Sequence, residues 1–87
     1  MVRQQVTVKN LTGLHLRPAG ILCREAMNFK SSIHFSFGNY QSNAKSVLSV
    51  LGACVKRGDE IEFISEGEDE EEALHSMVRL IEDGLGE

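Results

Sequence analysis

The chain is poor in basic charge, in cysteine and in long apolar runs, and each shortage excludes a class of protein. Of 87 residues, 9 are Lys or Arg and 13 are Asp or Glu, for a formal net charge of −4. A surface that neutralises nucleic-acid phosphates needs the opposite balance, so direct nucleic-acid binding is not expected. Two cysteines, Cys23 and Cys54, are too few for a disulfide framework and lack metal-ligand spacing. They are expected as reduced thiols in the core, with no metal. No apolar run approaches the roughly 20 residues that span a bilayer, and the start "MVRQQVTV" has no hydrophobic signal region. A cytoplasmic protein without membrane insertion is expected. Repeats, linkers and low-complexity segments are also missing, so residues 1–87 read as one domain. A chain this short buries only about two-thirds of its unfolded surface, which leaves little room for a deep pocket and favours chemistry at the surface.

What is present alternates between two periods. "QQVTVKN" puts Val6 and Val8 on one side and Thr7 and Lys9 on the other, a half-buried strand that ends in the turn residues Asn10–Gly13. From the single proline, Pro18, the period becomes helical. Ala19, Leu22, Cys23, Ala26 and Met27 form one stripe, and the helix is expected over about 16–28. "SSIHFSF", the turn Gly38-Asn39 and a strand at Tyr40–Ser42 read as a hairpin. A short helix is expected over about 46–52, with Ser46 as N-cap and Gly52 as its stop. A turn at Arg57-Gly58-Asp59 leads to a strand at about 60–66 with Ile61 and Phe63 inward. The last helix carries Leu74, Met77, Val78, Ile81 and Leu85 as its stripe. Asp69 with Glu72 resembles a capping box, and the acidic run Glu68–Glu72 suits a helix start. The order β-α-β-β-α-β-α argues for an α+β fold, an antiparallel sheet covered on one face by helices.

Within that order "TGLHLRPAG" places His15 where the first strand gives way to the first helix. Unpaired N–H groups and the helix dipole make such a junction an anion site, and Arg17 adds a full positive charge. A neutral imidazole there is a competent phosphoryl acceptor. The same position also suits a histidine that caps the helix, with Arg17 as a solvated surface residue, and spacing alone does not separate the two. His34 and His75 lack this setting and are expected at the solvent. No spacing favours a zinc site.

"GLHLRPAG", "NAKSVLSVLGACVKRGDEIEF" and "GEDEEEAL" resemble the HPr family, the histidine-containing phosphocarriers of the bacterial phosphoenolpyruvate:sugar phosphotransferase system, over the whole chain. The resemblance implies an open-faced β-sandwich, a four-stranded antiparallel sheet covered on one face by three helices. It implies that His15 accepts a phosphoryl group on Nδ1 from phospho-enzyme I and passes it to a sugar-specific enzyme IIA, with Arg17 holding the phosphoryl oxygens. It implies no cofactor and no catalytic activity of the chain's own. Ser46 matches the regulatory serine of the Firmicutes type. That serine is modified by an ATP-dependent HPr kinase/phosphorylase, after which the protein binds a catabolite control transcription factor.

Docking partners of a reactive surface histidine need an apolar patch. Val47, Leu48 and Leu51 on the short helix, with Gly20 and Arg24 on the first, are the candidates; Val50 is assigned to the core. A phosphate on Ser46 would place about two negative charges in that patch. Many family members carry methionine where Leu48 and Leu51 stand and glycine where Ser49 stands, which bears on partner preference. A sister branch keeps the serine and lacks the histidine; this chain has both, which favours a carrier. The chain is expected to act as a monomer. A specialised relative serving nitrogen signalling or dihydroxyacetone phosphorylation is the alternative, and the Lys45-Ser46 context disfavours it. A small-molecule sensor domain would have no need of an exposed His-x-Arg-Pro.

Overall fold

Seven elements alternate along the chain: β1 (Val2–Thr7), α1 (Leu16–Ala26), β2 (Ser32–Phe37), β3 (Tyr40–Asn43), α2 (Val47–Gly52), β4 (Glu60–Glu66) and α3 (Glu70–Glu82). The computed structural model describes residues 1–87. The strands form one antiparallel sheet in the order β1-β4-β2-β3. With its three helices this is the α+β, open-sheet arrangement that the sequence pattern predicts.

The period-2 alternation sets which face is covered. Ile61, Phe63 and Ser65 of β4, Ile33 and Phe35 of β2 and Val6 of β1 are buried, whereas Arg3, Gln5, Thr7, Glu60 and Glu66 face solvent. Phe35 pairs directly with Phe63 across β2 and β4, and their rings meet edge to face with centroids 5.8 Å apart. Helix α3 lies over β1, β4 and β2 and closes this core with Ala73, Met77, Val78 and Ile81. Leu85 beyond it is fully buried, and Leu74 is half-buried.

The first helix departs from expectation at its end. It stops at Ala26, and its buried residues are Pro18, Ala19, Leu22 and Ala26. Met27 is 62% exposed and Cys23 only half-buried. The reason is packing: α1 rests on α2 and α3 and not on the broad sheet, so a narrower arc of it is covered. The second helix has Ser46 at its N-cap, with the serine Oγ accepting from the Ser49 N–H at 3.2 Å. Gly52 is the last residue of α2, as expected, though not as a left-handed cap: Tyr40 Oη would come within 2.6 Å of a Cβ there, and the left-handed residue after the helix is Cys54 at φ 56°. Cys54 is therefore exposed and not a core thiol.

At the start of α3 the expected capping box is not formed. Asp69 makes no side-chain cap in its own helix. Its carboxylate instead accepts from the N–H of Lys30 at 3.0 Å, from the N–H of Ser31 at 2.9 Å and from the Ser31 hydroxyl. The return bond of a carboxylate to an upstream amide is made by Glu70, which accepts from the Gly67 N–H at 3.1 Å. Asp69 thus ties the segment between α1 and β2 to the start of α3.

These bonds, the Ser31 hydroxyl foremost and then the Lys30 amide, lower the Asp69 carboxyl to about 2. A carboxyl depressed in the folded chain contributes stability that is present above its unfolded value near 4 and is lost as pH falls through about 2. Asp69→Ala is therefore expected to lower Tm at neutral pH, with the gap to the wild type narrowing between about pH 4 and pH 2. Thermal melts followed by circular dichroism check this; a gap of constant size across that range would rule out the carboxylate's charge as its source.

Candidate functional site

The turn Asn10–Gly13 brings the chain from β1 to His15, and glycine is required there. Gly13 has φ 64°, and a Cβ on it would lie 2.5 Å from the Val55 carbonyl oxygen and 2.7 Å from Lys56 Cα. That close approach lets the Leu14 N–H donate to the Val55 carbonyl at 3.0 Å. Asn10 Nδ2 donates to the Gly13 carbonyl at 2.7 Å and closes the turn from inside. Leu14 is buried, and the next residue, His15, emerges exposed.

His15 is the N-cap residue of α1, with extended φ −76° and ψ −173°, and its side chain makes no cap hydrogen bond. The capping role open to it in the sequence is not used, so the imidazole is free. The first-turn amides of Leu16 and Arg17 have no carbonyl one turn back to bond, and Pro18 has no N–H to leave unsatisfied. Arg17 is exposed and forms no ion pair within 4 Å. An exposed nucleophilic nitrogen, free amides and an uncommitted guanidinium therefore lie within three consecutive residues.

Beside His15 is an apolar cavity of about 230 Å³, lined by Thr12, Leu14, His15, Leu51, Cys54, Val55 and Lys56. The structure thus brings His15 and Leu51 together from distant parts of the sequence. Leu48 is 81% exposed, Val47 and Leu51 are half-buried against the core, and Val50 is fully buried. Gly20 is half-buried with open space where a Cβ would stand, and Arg24 is exposed. Ser46 does not line the cavity; it opens the helix that carries Leu48 and Leu51.

Sequence reasoning missed Thr12, Cys54 and Lys56, which line the cavity, and Leu16, which is 62% exposed beside His15. A leucine next to the candidate histidine and off the helix stripe was the available signal for Leu16. The other three depend on the Gly13–Val55 contact, which no local pattern encodes. His75 is exposed as expected, whereas His34 is half-buried on the open face of the sheet between Ile64 and Asn43.

Gly13→Ala is expected to cost at least about 2 kcal/mol, from the left-handed backbone and from the clash with Val55. It should also shift the backbone amide resonances of Leu14–Arg17. Denaturant unfolding and amide spectra measure both; a variant with wild-type stability would show that the turn does not need the close approach.

The family model described as the PTS HPr component phosphorylation site matches residues 2–83. The phosphocarrier protein HPr of Mycoplasma pneumoniae is 39% identical over 83 residues, covering 94% of each chain. The HPr-like protein Crh of Bacillus subtilis is 36% identical over 83 residues, 95% of this chain and 98% of that one. Among solved structures, HPr-C-His from Thermoanaerobacter tengcongensis superposes with a TM-score of 0.96 at 39% identity, covering 100% of this chain and 98% of that one.

Proposed function

The chain belongs to the HPr family of phosphocarrier proteins, and we propose that it accepts a phosphoryl group on His15 from phospho-enzyme I and gives it to a sugar-specific enzyme IIA. The observation that carries this is the freedom of His15: exposed, uncapped, at a helix start, and two residues from an arginine in no ion pair. The neutral imidazole attacks phosphorus through Nδ1. The N–P bond to His15 forms as the donor's N–P bond breaks, and the proton on Nε2 stays in place. The amides of Leu16 and Arg17 and the Arg17 guanidinium meet the phosphoryl oxygens. Transfer onward is the same displacement in reverse, with the enzyme IIA nucleophile attacking. The chain is thus a substrate of other proteins' chemistry and no catalyst, and it works in the cytoplasm in the service of sugar uptake.

The docking surface is Leu48, Leu51 and Val47 from α2 with Leu16, Gly20 and Arg24 from α1; of these Leu51 lines the apolar cavity beside His15. A role confined to regulation, which the likeness to Crh would suggest, is disfavoured by the presence of His15 itself. His15→Ala should abolish the acid-labile phosphoryl group formed with phosphoenolpyruvate and enzyme I, as read by intact mass. Arg17→Glu should slow its formation while changing stability by no more than about half a kcal/mol. An Ala variant that still takes up the group, or an Arg17→Glu protein that melts early yet transfers normally, would reverse these assignments.

Ser46 is the regulatory site, modified with ATP by an HPr kinase/phosphorylase, and the modified protein is the form a catabolite control transcription factor binds. The phosphate sits at the start of the docking helix, where a partner's apolar surface must approach it. Mispaired charge at an interface costs several kcal/mol, so phospho-Ser46 should slow His15 phosphorylation about a hundredfold. Ser46→Asp should reproduce part of that slowing, and both forms should melt within a few degrees of the wild type. The rate of His15 phosphorylation alongside Tm is the measurement. Equal rates in all three forms would remove the switch, and a slow form that melts far earlier would replace it with misfolding.

A further inference from the structure

We propose that a second docking lobe lies outside the two helices: the apolar cavity beside His15, with a basic corner formed by Lys9, Lys56 and Arg57, takes an apolar side chain of enzyme I that is flanked by carboxylates. The inference rests on the phosphocarrier reading above. Ion pairing sorts the chain's 9 Lys and Arg residues into two groups. Arg3, Lys30 and Arg79 pair with acids, and the Lys45 ammonium donates to the Phe29 carbonyl at 2.7 Å. The others, Lys9, Arg17, Arg24, Lys56 and Arg57, make no ion pair within 4 Å. Each of these lies on α1, on the segment that enters it or on the segment that leaves α2. An acidic chain thus keeps its uncommitted positive charge on the segments that build the His15 site.

Backbone contacts assemble the corner from distant parts of the sequence. The Val8 N–H donates to the Asp59 carbonyl at 2.8 Å and the Gly58 N–H to the Val8 carbonyl at 2.8 Å, so Lys9 stands beside the turn that carries Lys56 and Arg57. That turn is closed by Asp59, whose carboxylate accepts from the Lys56 N–H at 2.8 Å and whose N–H donates to the Lys56 carbonyl at 3.0 Å. Lys56 Cα fits against Gly13, where a Cβ would come within 2.7 Å. All three basic side chains are exposed, and Lys56 also lines the cavity with His15. The acids close by are occupied: Asp59 by the turn, Glu87 by Asn10 and Thr12. The cavity itself, about 230 Å³ with Leu14, Leu51 and Val55 in its wall, is smaller than the roughly 300 Å³ at which small-molecule sites begin. Its size suits one anchoring side chain of a protein partner. Cations beside an apolar recess select an anchor with carboxylates next to it, because a basic neighbour would be repelled. The helices supply most of the apolar contact, and this lobe adds charge that steers the approach to His15.

The test is His15 phosphorylation by enzyme I and phosphoenolpyruvate, followed across chain concentrations for wild type, Lys56→Gln and the triple variant Lys9→Glu, Lys56→Glu, Arg57→Glu, with Tm as the control for the fold. Lys56→Gln should raise KM about threefold and the triple variant about tenfold or more, each with kcat within about twofold of wild type. Both gaps should shrink as salt rises from about 0.05 M to about 0.5 M. Cys54, exposed in the same cavity, reports the anchor. In a Cys23→Ser background, saturating enzyme I should slow alkylation of Cys54 by iodoacetamide about fivefold or more. A wild-type KM in the triple variant, an effect on kcat alone, a KM shift that ignores salt, or Cys54 alkylated at its free rate in the complex would each overturn the inference and leave the carrier reading standing. Protection of Cys54 that grows with chain concentration in the absence of enzyme I would overturn it too, by giving the cavity to a second copy of the chain. A wild-type chain that takes no phosphoryl group at all would instead sink the carrier reading, and this inference with it.

Discussion

The contact of Gly13 and Leu14 with the Val55 carbonyl is the constraint on which the site depends. It joins the segment that enters α1 to the segment that leaves α2, so His15 and α2 are set relative to each other by one hydrogen bond and one missing side chain. Neighbouring bonds make the junction stiff: the Val8 N–H donates to the Asp59 carbonyl at 2.8 Å, and the Gly58 N–H to the Val8 carbonyl at 2.8 Å. Leu14 plugs into the core, which forces the next residue outward. His15 is exposed because its predecessor is anchored, and its ring is free because the backbone of the turn is satisfied by Asn10.

Position and charge then divide the work. Apolar burial puts His15 beside Leu51 and an apolar cavity, which suits a partner that must exclude water while a phosphoryl group moves. On the proposed reading, the positive end of α1 and Arg17 would receive the group. An overall charge of −4 does not oppose binding of a phosphoryl group, because exposed charges more than about 10 Å away are largely screened at ordinary ionic strength.

Much of this was legible in the sequence because it follows from local periodicity. Alternation in "SSIHFSF" and "EIEFISE" places Ile33, Phe35, Ile61 and Phe63 inward, and the helical period from Pro18 onward places Ala19, Leu22 and Ala26. His15 at a strand-to-helix junction needed only the two periods that meet there. What escaped needed tertiary contacts. Asp69 has the spacing of a cap but finds the loop at Lys30–Ser31 within reach, and three donors there outcompete one amide of its own helix. Gly52 does end α2, but the left-handed conformation that usually goes with a glycine stop falls two residues later, on Cys54, which no local pattern marks. Met27 continues a stripe on paper, but α1 runs out of neighbours before reaching it.

The short helix α2 shows why, on the proposed reading, a phosphate on Ser46 would change a partner's affinity without changing the fold. Six residues cannot hold a helix in water by themselves, so α2 depends on what grips it. The grip is Ser49. Its hydroxyl accepts from the Asn43 N–H at 2.9 Å and lies 3.3 Å from Ser42 Oγ, its carbonyl accepts from Tyr40 Oη at 3.0 Å, and its N–H is the one that caps on Ser46. Val50, fully buried on the next residue, fastens the helix to the core. A glycine at position 49 would keep the amide and carbonyl and lose both hydroxyl contacts, so the serine adds bonds from α2 to β3 that a glycine could not make. Of the four contacts only the cap from Ser46 would be altered by a phosphate, and phosphate oxygens accept from the same amide. The three others, together with Val50, hold Leu48 and Leu51 where they are. An added dianion therefore acts as a change of charge on a fixed surface, and the partner that approaches it must supply the discrimination.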